Sequence, residues 1–127
     1  MDWIAAFFEC SLAHTALVLS ERVKLDIEAY LKRMGPETRV HVSAVGPKTV
    51  ITKPVHLDIG PWVTIEPKEN YILVRRAKSQ NVGEDAVQEA RLTPAVNGSG
   101  ECRLRLNSEE LEIWQASRFI LEPLLFG

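Results

Sequence analysis

From Asp2 to Met34 the chain contains neither Gly nor Pro, and Gly35-Pro36 follows at once, a run that predicts one long helix with a hard stop. In its second half Ala16, Leu19, Val23, Ile27, Tyr30, Leu31 and Met34 recur at steps of three and four, while Glu21, Arg22, Lys24, Glu28, Lys32 and Arg33 fill the remaining positions. That half should dock one face on a core and wet the other. The first half carries Trp3, Ile4, Phe7, Phe8, Leu12, Leu17 and Val18 with little polar arc, and a helix apolar nearly all round must be covered nearly all round. Ser11 can cap a second helix, which would divide the segment in two.

Beyond Met34 the period changes from helical to alternating. Gly35-Pro36, Gly46-Pro47 and Gly60-Pro61, together with Pro54 and Pro67, bracket short runs in which apolar and polar residues alternate. Val40, Val42 and Ala44 alternate with Arg39, His41 and Ser43; Val55, Leu57 and Ile59 with His56 and Asp58; Val63 and Ile65 with Thr64 and Glu66; Ile72 and Val74 with Tyr71, Leu73 and Arg75. Such alternation belongs to an antiparallel sheet covered on one side. The stretch from Arg76 to Asp85 has no period and reads as a mobile loop. Asn97-Gly98 then separates a weak strand ending at Val96 from a clear one in which Cys102, Leu104 and Leu106 alternate with Arg103 and Arg105, a hairpin signal. Pro94 pushes the weaker strand toward an edge. Asn107, with Glu110 three residues on, offers a cap for a closing helix whose Ile113, Trp114, Ile120, Leu121 and Leu124 share a face, and Pro123 should fray its end.

The expected fold is therefore α+β: a long N-terminal helix, possible break near Ser11, packed on an antiparallel sheet of about 5–7 strands and closed by a C-terminal amphipathic helix. The 127 residues suffice for one domain spanning 1–127, with no repeat, linker or low-complexity tract. Fifteen Lys plus Arg against seventeen Asp plus Glu leave a net charge of −2, so no global field draws the chain to nucleic acid or anionic lipid. Two cysteines over this length make no disulfide framework, and Cys10 and Cys102 are expected as buried thiols in a reducing compartment. The apolar start lacks the basic leading region of a signal peptide, and Glu9 and His14 interrupt it as a spanning segment, so a soluble cytoplasmic protein without membrane contact is expected.

Several constellations could carry chemistry. The strands direct Arg39, His41, Ser43, His56, Asp58, Trp62, Thr64, Glu66, Tyr71 and Arg75 away from the core, and Arg39, His41, His56, Asp58, Trp62, Tyr71 and Arg75 form the candidate recognition surface. His56 beside Asp58, with His41 on a neighbouring strand, would suit proton transfer in a small enzyme. Arg75, Arg76 and Lys78, with Arg103 and Arg105 nearby and Tyr71 to stack, form a local basic patch of the kind that holds single-stranded nucleic acid, against which stands the acidic balance. Cys10 and His14 stand four apart, yet no second ligand pair accompanies them, so no metal and no cofactor is expected.

The most pronounced feature is apolar excess at both ends. Trp3, Phe7 and Phe8 at the start and Trp114 and Phe119 near the finish exceed what one sheet face and two helices cover. These five residues are expected at a subunit interface, in a homodimer or higher homo-oligomer. The sequence reading is a non-enzymatic interaction or ligand-binding protein acting as a homo-oligomer, its polar sheet face available to a protein or small-molecule partner.

Overall fold

The structure, a computed structural model, describes residues 2–55, 60–78 and 86–127. Its elements run α1 (Trp3–Glu9), α2 (Leu12–Met34), β1 (His41–Val45), β2 (Lys48–Thr52), β3 (Trp62–Pro67), β4 (Ile72–Ala77), β5 (Gln88–Val96), β6 (Cys102–Leu106), β7 (Glu109–Leu111) and α3 (Ile113–Phe126). The seven strands form one antiparallel meander in chain order, as the alternating pattern requires.

The leading segment is two helices. Ser11 adopts extended backbone and its side chain accepts from the His14 N–H, which starts α2 afresh, and the two axes diverge by 66°. Among the described residues no single helix is long and apolar enough to cross a membrane; α1 and α2 reach that length and composition only as a bent pair. Helix α2 ends where Gly35, at φ 93°, takes the backbone into the region that favours glycine.

Register fixes the two faces of the sheet. Leu19, Val23, Ile27 and Tyr30 of α2 and Ala116, Ile120, Leu121, Leu124 and Leu125 of α3 bury against Ile51, Val63, Ile65, Ile72, Val74, Leu92 and Leu104. Both long helices thus occupy the same inner face. Polar ties reinforce the layer: Ser117 donates to Asp26 Oδ2 at 2.6 Å between α3 and α2, and Ser20 and Thr49 approach at 3.4 Å between α2 and β2. In the last turn of α3 the Leu125 carbonyl accepts from Lys53 Nζ at 2.9 Å and from the Tyr30 hydroxyl at 3.4 Å.

Several expectations need correction. Strand β2, not anticipated, follows the Gly46-Pro47 turn, pairing Val42 with Ile51 and Val45 with Lys48. A strand through Val55, Leu57 and Ile59 cannot be assessed, because 56–59 lie outside the described residues, as do 79–85 of the expected loop. Strand β4 continues to Ala77, two residues into that stretch, and β5 begins at Gln88. Asn107 does not cap α3: at φ 58° it turns β6 into β7, and α3 begins after Glu112, whose backbone N–H donates to the Gln115 side chain. Strand β5 is interior, yet β4 pairs it only up to Leu92 and β6 only from Thr93. Pro94 therefore stands where one strand neighbour is present, the condition under which a sheet accommodates proline. Gly60, at φ 72°, is obligatory, since a Cβ there would lie 2.2 Å from the Lys53 carbonyl oxygen.

The cysteines are the largest correction. Cys10 and Cys102 form a disulfide, with Cα atoms 5.4 Å apart, instead of two free thiols. The break at Ser11 places Cys10 at the foot of α2, and the meander returns β6 to the same spot 92 residues later, a proximity that linear spacing conceals. By loop closure over that separation, Cys10→Ser should lower the unfolding free energy by about 4–5 kcal/mol in urea denaturation. A loss below about 1 kcal/mol would contradict this.

Candidate functional site

Two surfaces carry residues that could act: the outer face of the sheet and the apolar side of α1. On the outer face, His41, Thr52, Trp62 and Ala77 form one cross-strand row, and Ser43, Val50, Thr64, Arg75 and Glu89 form the next. Four of the residues predicted for recognition, His41, Trp62, Tyr71 and Arg75, share this face. Tyr71 lies beneath the Arg91 guanidinium, 4.6 Å from its ring centroid. Arg39 stands exposed just ahead of β1. His56 and Asp58, on which acid/base chemistry would depend, lie outside the described residues, and His41 is exposed on the edge strand.

Three arginines of this face, Arg75, Arg103 and Arg105, are matched by acids. Arg75 Nε lies 3.0 Å from Glu89, Arg103 approaches Glu101 at 2.6 Å and Glu112 at 3.5 Å, and Arg105 is 3.7 Å from Glu110. The patch that the sequence groups as Arg75, Arg76, Lys78, Arg103 and Arg105 is thus dispersed, because Arg76 faces inward, in one row with Ile51, Val63 and Gln88. Cys10 is consumed by the disulfide, so its spacing to His14 offers no thiolate. Among the described residues no group of three or more His, Cys, Asp or Glu could hold a metal ion.

Helix α1 is amphipathic in an inverted sense. At 100° per residue Trp3, Ile4, Phe7 and Phe8 form one stripe and Ala5 and Ala6 the opposite side. Only the alanines are half-buried; Trp3 is 64% exposed, Ile4 52%, Phe7 59% and Phe8 76%. Trp3 and Phe7 pack edge to face at 6.2 Å, which holds the stripe as a preformed ridge. The five predicted interface residues are therefore not alike. Trp3, Phe7, Phe8 and Trp114 are exposed, whereas Phe119 is half-buried with the Arg76 guanidinium 4.6 Å from its ring centroid.

Arg76 has a role that the sequence reading missed. Proline at 123 has no N–H to offer the Phe119 carbonyl four residues earlier, and Arg76 Nη1 donates to that oxygen at 2.7 Å in its stead. The helix consequently runs on to Phe126 instead of fraying at Pro123. Arg76 Nε donates to Gln88 Oε1 at 3.2 Å, and partial burial lowers the Arg76 pKa from its ordinary value. The orphaned carbonyl was legible in the spacing of Phe119 and Pro123; the donor, 43 residues away on another element, was not.

Comparison with known protein families, with curated proteins and with solved structures finds no match.

The substitution Arg76→Leu should cost about 1–3 kcal/mol by stranding the Phe119 carbonyl, and roughly 1 kcal/mol less in a Pro123→Ala background that restores the backbone donor. Equal costs in the two backgrounds, measured by chemical denaturation, would contradict the assignment.

Proposed function

We propose that the protein is a non-enzymatic interaction module that works as a homo-oligomer, its subunits joined through the outward stripe of α1 and its polar outer sheet face left open for recognition. The supporting observation is the inversion of α1, whose large side chains point away from the core that the described residues build. Aromatic side chains present on the order of 150–250 Å² each, so the exposed fractions of Trp3, Phe7 and Phe8, with Ile4, amount to about 500 Å² of apolar surface on two turns of helix. That is as large as the largest patch of a typical monomer, about 300–600 Å².

A second copy of the chain is the occupant that this geometry suits. Two such stripes laid against each other about a two-fold axis remove about 1,000 Å² of surface, at the threshold for a specific interface, before any neighbouring residue contributes. Asp2 and Glu9 stand at the two ends of α1, and an antiparallel arrangement surrounds the ridge with these polar residues instead of burying them. The acidic ends also oppose an anionic lipid surface, which basic residues would favour.

In that assembly the outer rows containing His41, Trp62 and Arg75 remain outside the α1 interface, since they lie on the face opposite the helices. The expected cytoplasmic placement carries a condition: cytoplasmic reductants would hold Cys10 and Cys102 open, so the bond favours a non-reducing compartment.

Light scattering tests the assembly directly. The wild-type chain should have at least twice the monomer mass at micromolar concentration, and Phe7→Glu or Phe8→Glu should return it to a monomer with unchanged circular dichroism. A monomeric wild type, or an unchanged mass in both variants, would overturn the proposal.

A further inference from the structure

Arg76 stands between two adjoining hollows on the inner side of the sheet. One, of about 340 Å³, is lined by Val74, Arg76, Gln88, Glu89, Ala90 and Phe119. The other, of about 320 Å³, lies along α3 between Arg76 and Trp114. Arg76 and Phe119 belong to both, so the two form one groove with a cation at its waist.

The charges in this groove do not cancel. Glu89 is taken by Arg75 at 3.0 Å, and Glu122 by Arg118 one helical turn away on α3. Arg76 has no carboxylate within ion-pair distance among the described residues; its partners are a neutral carbonyl and a neutral amide. These engage Nη1 and Nε, which leaves the guanidinium fork with donors to spare beside apolar walls. A half-buried cation whose partners are all neutral attracts an anion, and partial desolvation strengthens that attraction.

We infer that this groove binds a small monoanionic carboxylate with an apolar, preferably aromatic, body. The carboxylate would take the free donors of Arg76, and the body would lie along Phe119, Val74 and Ala90. Among the described residues Arg76 is the one cation there without a carboxylate partner, since Arg118 is paired with Glu122, and a single unmatched charge suits a monoanion. The groove shares no residue with the α1 stripe, so its occupancy does not depend on the proposed assembly.

The variant Gln88→Glu separates binding from folding. A glutamate there keeps the acceptor for Arg76 Nε and supplies the missing counter-charge, so the fold is retained while the anion loses its partner. Titration of the full chain with 4-phenylbutyrate, followed by calorimetry, should saturate in the micromolar to millimolar range, with 4-phenylbutanol at least about tenfold weaker. In Gln88→Glu the acid should bind about tenfold or more weakly, with a thermal midpoint equal to or above that of the wild type. Phe119→Ala should weaken the acid and the alcohol alike. The inference falls if the alcohol matches the acid, if the acid does not saturate, or if Gln88→Glu binds the acid as the wild type does.

Discussion

A sheet has two faces, and among the described residues the helices cover only one of them. Because the strands alternate apolar and polar residues, the core cluster lies on the inner face, and α2 and α3 together occupy it. Every other feature follows from that limited room. Helix α1 arrives first in the chain yet has no place in the layer, so it bends away at Ser11, lays two alanines toward the body and leaves its aromatic residues outside. The disulfide at its foot ties this unburied element to β6.

The helix layer itself is held by apolar packing and by a few polar ties that each answer a specific deficit. Pro123 deprives the Phe119 carbonyl of its donor, and the end of the helix deprives Leu125. The sheet supplies Arg76 to the first and Lys53 to the second, with Tyr30 of α2 assisting. Arginine stands in the row of Ile51 and Val63 with Gln88 beside it, and this polar end of the row borders a charged groove.

Much of this architecture is written in local pattern. The helix stop at Gly35, the cap at Ser11, the alternation of β3 and β4 and the β5–β6 hairpin at Asn97 follow from residue chemistry acting over a few positions. What escaped has a common cause. Strand β2 sets two adjacent apolar residues, Val50 and Ile51, on opposite faces and so shows no alternation; Asn107 and Glu110 imitate a helix cap because turn and cap favour the same residues. The disulfide and the Arg76–Phe119 bond join positions far apart in the chain, and only the fold brings them together. The apolar excess at the amino end was legible as composition; that its residues share one outward stripe depends on where α1 breaks from α2.

The surroundings of Trp3 at different protein concentrations bear most directly on the claim that α1 finds cover only on another molecule. In a chain carrying Trp62→Phe and Trp114→Phe, Trp3 emission should be red-shifted and open to iodide quenching when dilute, then blue-shifted and protected as concentration rises. Emission that is blue-shifted and protected at every dilution would mean that the subunit buries Trp3 by itself, and the account would be wrong.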